Sequence, residues 1–432
     1  MDPIIGALGF AVLFLLLFIG IPIAFSMCLV GLAGFAFLVG TGQSIEGFGI
    51  VAYSNTAHFV LACIPLFILM GQFAFHTGIT EDLYDVIYKW LGAFPGGLAI
   101  ASVFASAGFG AVTGSSVAAV ATLGTIALPE LNRHKYDPVF SCGTIAAAGT
   151  LGILIPPSIP MVLYGVLTEQ SIGKLFIAGI IPGLLTAVLF SLMIFVRAKR
   201  KPSLAPRGES FSWGERFSSV WKVWGVLSLF LLVVGGIFMG WFTPTEGAGI
   251  GAFGSFVLLF ALRKMSRKVL VATLDESIRL VGMIVLILIG ASTFAQFIAI
   301  TGLNIFFADW VSVLPVNKYI ILTAILLIYL ALGCVMDVIG MLVLTVPVIF
   351  PVIIKLGFDP IWFGVLVTVM IELSLITPPV GTNVIIIRKV SGLSMGQVFK
   401  GVGWFFVVDC VVVAILVMFP ALSTWLPDLM LN

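Results

Sequence analysis

Two proline pairs, Pro156-Pro157 and Pro378-Pro379, each stand in the middle of a long apolar run, 222 residues apart. Proline removes a backbone N–H and clashes with the carbonyl four residues back, so two in succession interrupt a helix. The surroundings decide what such an interruption means. The chain is 61% hydrophobic and 9% charged over 432 residues, against about 25% charged residues in a soluble domain. Apolar runs long enough to span a bilayer recur from end to end. This composition predicts an all-α polytopic membrane protein, and the absence of alternating ten-residue segments argues against a β-barrel. Lipid tolerates a helix break at mid-depth only where it is buried in protein or lines a cavity. Two broken helices in matching positions of two halves mark the ligand and ion site of a secondary transporter.

The halves match beyond the prolines. Gln72-Phe73 and Thr77-Gly78 recur as Gln296-Phe297 and Thr301-Gly302, Tyr136-Asp137-Pro138-Val139 recurs as Phe358-Asp359-Pro360-Ile361, and Pro129 maps to Pro351. Ser171-Ile172-Gly173-Lys174-Leu175-Phe176 recurs as Ser394-Met395-Gly396-Gln397-Val398-Phe399. The offset stays between 222 and 224 throughout, a signature of internal repetition. Each half reads as a span, a short amphipathic arm, a re-entrant hairpin, a broken span and a final span. In the first half these are 56–76, 77–96, 97–129, 139–168 and 172–197. In the second they are 280–300, 302–317, 318–350, 361–388 and 401–420. Residues 1–55 are expected to form N-terminal scaffold helices. Residues 198–279 are expected to hold basic cytoplasmic loops and two more scaffold helices, and 421–432 a tail. Thus 56–197 and 280–420 are the two repeats.

Basic residues set the orientation. Arg197, Lys199, Arg200, Lys201, Arg207, Arg216 and Lys222 form one cluster; Arg263, Lys264, Arg267, Lys268 and Arg279 form another. Two spans lie between them, so both clusters fall on the cytoplasmic side under the positive-inside rule. The first half then starts outside and the second inside, and the repeats are inverted about an axis in the membrane plane. No basic residue precedes the first apolar run, which reads as a retained helix rather than a signal peptide.

The chemistry of the breaks follows from helical bonding. Pro156 and Pro157 leave the carbonyls of Gly152 and Ile153 without donors; Pro378 and Pro379 do the same for Ser374 and Leu375. Carbonyl oxygens at the negative end of a half-helix suit a small hard cation. Further oxygens come from the hairpin tips, at Thr113, Gly114, Ser115 and Ser116 and at Gly333. A cage of neutral oxygens favours Na⁺ over a divalent ion, which takes carboxylates. Past each break a new half-helix starts with free N–H groups, at Ser158 and at Gly381, Thr382 and Asn383. Such ends favour an anionic group, carboxylate or sulfonate. The candidates for substrate contact are therefore Thr113, Ser158, Asp337, Thr382 and Asn383.

Asp337, Glu372, Asp409 and Glu246 are the acids placed within or beside spans. Asp337, at the second hairpin tip, is the strongest functional candidate. Asp409 and Glu246 read as structural hydrogen-bonding groups. The three histidines and five cysteines are scattered, which argues against a metal centre, a disulfide framework or an intramembrane enzyme. No P-loop is present, so no ATP hydrolysis is expected. The glycine-rich runs at 31–34, 92–97 and 247–251 read as close helix packing.

Gly20-Ile21-Pro22, Gly114-Ser115-Ser116, Gly149-Thr150-Leu151-Gly152-Ile153-Leu154-Ile155-Pro156-Pro157-Ser158 and Thr377-Pro378-Pro379-Val380-Gly381-Thr382-Asn383 resemble the large membrane subunit of a TRAP (tripartite ATP-independent periplasmic) transporter. The resemblance covers essentially the whole chain. It implies the ion-transporter-superfamily fold, with a scaffold and a mobile transport domain working as an elevator. It implies Na⁺-driven uptake of an organic acid across a bacterial inner membrane, with Na⁺ as coupling ion and no other cofactor. Two partners are implied: a small four-helix membrane subunit, expected as a separate chain, and a periplasmic substrate-binding protein. Carried over by position, one Na⁺ site would use Ser115 or Ser116, Gly152, Ile155 and Pro157. The other would use Gly333, Ser374, Thr377 and Val380; Ser374 stands where the family commonly has glycine. The nearest alternative is an autonomous Na⁺/dicarboxylate symporter of the same fold. C4-dicarboxylates, sialic acid, sulfonates, 2-oxo acids and sugar acids all remain open as substrates.

Overall fold

The computed structural model describes residues 2–334 and 336–430. Val335 of the second hairpin tip, and the end residues Met1, Leu431 and Asn432, lie outside the described residues. Every described element is a helix. Among the described residues, six helices are long and apolar enough to cross a membrane: Phe59–His76, Ile172–Arg200, Pro244–Ala261, Arg267–Thr301, Val338–Lys355 and Met395–Met418. A further pair, Pro138–Leu154 and Ile159–Thr168, passes the same test together and is bent by 41° at its break. Shorter apolar helices include Pro3–Phe18, Ile23–Val39, Gly97–Thr113, Lys318–Gly333 and Pro360–Leu375.

Helix starts are written in short polar residues whose oxygens accept the first free N–H groups. Asp137, Ser171, Asn317 and Asp359 each cap the helix that follows. Thr243 with Glu246 and Ser394 with Gln397 close full capping boxes. Glu246, expected to bond a neighbouring helix or subunit, instead caps the start of its own helix through Thr243.

Three elements differ from expectation. The helix anticipated at 280–300 begins at Arg267, because Ser266 caps it; a basic cluster does not stop a helix that has a cap and an apolar stripe. A short helix, Trp213–Val220, forms in the basic segment behind a Ser212–Glu215 capping box. The last residues are not a loose tail: Ala421–Asp428 is helical and packs on Ile172–Arg200 and Pro360–Leu375.

Two apolar cores result. One gathers Tyr164, Tyr329, Trp362 and Phe363 with the helices around them. The other gathers Phe140, Phe190 and Phe405 with Leu98, Leu123 and Leu131 of the first hairpin. The helices following the two breaks cross over. Ile159–Thr168 packs on Val338–Lys355, the second arm of the second hairpin. Thr382–Ser391 packs on Ser116–Arg133, the second arm of the first. Each hairpin therefore supports the broken helix of the other half. Gly143 and Gly401 allow Pro138–Ala148 and Met395–Met418 to meet backbone to backbone, since a Cβ on either would strike the other helix's main chain.

Candidate transport site

The first break is sealed. Pro138–Ala148 ends, Leu151–Leu154 makes one turn, and Ile155 turns extended before Pro156 and Pro157. Ile155 donates its N–H to the Leu151 carbonyl at 3.2 Å; no turn or cap bond among the described residues ends on the carbonyls of Gly152 or Ile153. Ile155 is 8% exposed, and Ser158 is fully buried. The Ser158 hydroxyl accepts the Met161 N–H and so opens Ile159–Thr168.

The first hairpin tip is set against this break. Gly97–Thr113 ends at Gly114, whose φ of +60° is a left-handed turn that glycine takes without strain. Ser115 then caps Ser116–Arg133, accepting the Ala118 N–H at 3.3 Å. A Cβ on Gly114 would lie 2.5 Å from the Pro157 oxygen, and one on Gly152 would lie 3.0 Å from the Ser115 oxygen. The Ser115 carbonyl, which also accepts the Ala119 N–H, therefore lies against Gly152, and the Pro157 carbonyl lies against the tip at Gly114. Ser116 takes a different role. The Asn383 side-chain amide donates to the Ser116 hydroxyl and to the Ala146 carbonyl, each at 3.2 Å. Both side chains are buried. Ser116 and Asn383, expected in a cation site and a substrate site, are hydrogen-bonded to one another.

The second break is open. Pro378, Pro379 and Val380 are exposed, Val380 by 40%. The helix Pro360–Leu375 tightens as it ends: Thr377 donates its N–H to the Ser374 carbonyl at 3.1 Å, and its hydroxyl to the Leu373 carbonyl at 2.6 Å. The Ser374 carbonyl is thus not free, contrary to the proline arithmetic, because a short three-residue turn supplies the missing donor. No turn or cap bond among the described residues ends on the Leu375 carbonyl. Gly333 and Ser374 do meet, so closely that a Cβ on Gly333 would overlap the Ser374 side chain. Gly381, with φ of +56°, leads into Thr382–Ser391, where Thr382 is half-buried.

Between the two tips lies a cavity of about 530 Å³. Thr113 through Ala118 form one wall and Ile153, Ile159 and Pro160 the floor. Asp337, Val338, Ile339 and Leu375 face them from the second half. Gln72, Phe75, Glu276, Leu280, Met283 and Ile284 also line it. Thr113, Ser115, Ser116 and Asp337 are thus brought to one cavity; Ser158, Thr382 and Asn383 do not line it. Gln72 and Glu276 were missed. The Gln72/Gln296 match pointed at the first, whereas Glu276 was hidden by assigning its segment to a loop.

Asp337 has two tasks. Its carboxylate accepts the N–H groups of Ile339 and Gly340, at 3.1 and 3.2 Å, and caps Val338–Lys355. It is also exposed to the cavity. These tasks separate by mutation. Asp337→Asn keeps a good cap and should leave the melting temperature within error, while removing a negative charge from the cavity wall should change uptake about tenfold. Asp337→Ala should also cost about 1 kcal/mol of stability. Unchanged uptake by the asparagine variant would reduce Asp337 to a cap.

Helices interrupted beside hairpin tips, arranged around a cavity within a bundle of spanning length, define a polytopic helical membrane transporter. Residues 10–422 match the family model described as the tripartite ATP-independent periplasmic transporter, DctM component. The chain belongs to that family, the large membrane subunits of TRAP transporters. It is 37% identical to the C4-dicarboxylate TRAP transporter large permease protein DctM of Pseudomonas aeruginosa, over 92% of this chain and 93% of that one. It is 32% identical to the isethionate TRAP transporter permease protein DctMQ of Oleidesulfovibrio alaskensis, over 92% of this chain and 62% of the longer relative. Among solved structures, the YdaH transporter of Alcanivorax borkumensis superposes with a TM-score of 0.63 at 16% identity, covering 88% of this chain and 89% of that one. That likeness is one of fold.

Proposed function

We propose that this chain is the transport subunit of a Na⁺-coupled importer of small organic acids, carboxylate or sulfonate, fed by a periplasmic binding protein. It works in a bacterial inner membrane beside a small four-helix subunit, by elevator-type alternating access. The observation that carries the reading is the first site: a sealed break whose Gly152 carbonyl accepts no turn or cap bond among the described residues, with the Ser115 carbonyl against Gly152 and the Pro157 carbonyl against the hairpin tip at Gly114. Neutral main-chain oxygens at a half-helix end suit an alkali ion. The crossed packing of the post-break helices supports paired, oppositely oriented repeats. The cavity between the tips is of a size for a small solute. Among the described residues its lining holds two carboxylates, Glu276 and Asp337, and no Lys, Arg or His. A bound anion there would draw its counter-charge from the coupling cations and helix ends. The relatives named for C4-dicarboxylate and isethionate transport support the substrate class.

Uptake in proteoliposomes tests this. Accumulation should require this chain, the small subunit, the binding protein and an inward Na⁺ gradient, and should fall to background when choline replaces sodium. Accumulation by this chain alone would point to an autonomous symporter. Accumulation indifferent to sodium would remove the coupling ion.

A further inference from the structure

The short helix Trp213–Val220 lies on the segment that links Ile172–Arg200 to the apolar helix Trp224–Phe238. Four large rings stand out from it: Trp213 is 65% exposed, Phe217 61%, Trp221 77% and Trp224 58%. Their spacing is that of one helical face, and Trp213 stacks on Phe217 with ring centres 6.2 Å apart. The stripe runs on into Trp224–Phe238, where Leu227 and Leu231 are exposed as well. Exposed apolar clusters of this kind mark a contact with protein or membrane.

The other side of the segment is tied down. Gly208 donates its N–H to the Gly92 carbonyl at 2.9 Å, and Glu209 donates its N–H to the Tyr88 hydroxyl at 3.2 Å. Lys222 bonds Asp85 at 2.8 Å, Trp90 meets Trp213 and Phe217 edge to face, and Ser219 is buried. The rings are therefore held outward by a fixed attachment to the arm Ile79–Leu91. The charge beside them is basic. Residues 199–224 carry six cations (Lys199, Arg200, Lys201, Arg207, Arg216 and Lys222) against two acids (Glu209 and Glu215), a net charge of +4. Arg216 lies over the Trp213 ring, and Lys222 is spent on Asp85. Lys199, Arg200, Lys201 and Arg207 are exposed and form no ion pair among the described residues. Glu215 is turned back onto Ser212 in its capping box.

We propose that residues 199–224 form a binding site for anionic phospholipid, lying in the headgroup layer of the leaflet this segment faces. The rings of Trp213, Phe217, Trp221 and Trp224 enter the upper acyl region, and Lys199, Arg200, Lys201 and Arg207 meet the phosphates. Charge and continuity choose this occupant. A free phosphate would satisfy the cations and leave four rings in water. A lipid carries an anionic head and apolar chains in one molecule, as amphipathic basic segments with aromatic anchors require. The ring stripe also continues onto an apolar helix that starts at Trp224, so the same lipids can cover both. The bound leaflet would hold the arm Ile79–Leu91, and with it the base of the first hairpin, at a set depth.

Tryptophan quenching by brominated lipid tests this on the full chain in mixed vesicles of phosphatidylcholine and phosphatidylglycerol. The signal of the three rings is the difference between wild type and the combined Trp213→Phe, Trp221→Phe, Trp224→Phe variant. That signal should be quenched when either lipid carries the bromine. At low salt phosphatidylglycerol should be enriched around the rings about fivefold over its bulk share, the increment that one basic residue at an anionic surface supplies. High salt should abolish the enrichment and leave the quenching. Replacing Lys199, Arg200, Lys201 and Arg207 by Gln together should do the same. Equal quenching by the two lipids at low salt in the wild-type chain would overturn the proposal without recourse to the charge variant. So would a difference signal that neither lipid quenches, or enrichment that survives loss of the four cations. Quenching that disappears when the small membrane subunit is added would assign the face to protein and overturn the lipid site.

Discussion

Gly333→Ala should destabilise the protein by about 1–3 kcal/mol, the cost of forcing an extra methyl group into a filled space, and should reduce uptake with it. The added Cβ would overlap the Ser374 side chain, and Ser374 cannot turn away cheaply. It is fully buried, and its hydroxyl donates to the Ile371 carbonyl at 2.6 Å. Gly333→Ala combined with Ser374→Gly should therefore recover most of the lost stability, while Ser374→Gly alone should be mild. Thermal melts of the four proteins form a double-mutant cycle whose coupling reports the contact. Additive losses, with no recovery in the double variant, would mean that the second hairpin tip and the second broken helix are not seated as described.

Asn383→Ala should have a comparable effect by a different route. The change removes the two donated bonds that tie the second half's post-break helix to Ser116 and to Ala146. A buried carbonyl and hydroxyl are left without a partner, at about 1–3 kcal/mol each. Asn383→Asp should be worse, since it presents a buried negative charge to the Ala146 carbonyl. Ser116→Ala should be mild by comparison, because the Asn383 amide keeps Ala146. The expected order of melting temperatures is wild type, Ser116→Ala, Asn383→Ala, Asn383→Asp. A neutral Asn383→Ala would show that this joint contributes little to holding the halves together.

Local chemistry made the breaks legible. Proline pairs fix where a helix stops, and residues such as Asp137, Ser158, Asp359 and Ser394 fix where the next begins. The contacts of Gly333 with Ser374, of Gly152 with Ser115 and of Gly114 with Pro157 lie among residues singled out from sequence. What stayed hidden was tertiary or conditional. Whether a helix end tightens, as at Thr377, depends on the path of the chain beyond it, so the Ser374 carbonyl could not be scored from proline positions alone. The Ser116–Asn383 bond joins residues 267 positions apart, a distance over which no local rule acts. Glu276 was lost because a cluster of basic residues was read as a loop, although Ser266 announces a helix.

The crossed seating of the post-break helices has a bearing on how the protein is made. Ile159–Thr168 emerges from the ribosome long before Val338–Lys355, the helix it rests on. Until the second half is inserted, that segment has its first-half neighbours, Ile172–Arg200 and Cys63–His76, and lacks the helix it rests on most. Assembly of the interior is therefore a late, post-insertional event. A nascent chain arrested before residue 338 would present this segment to insertion and quality-control machinery as an unfinished surface.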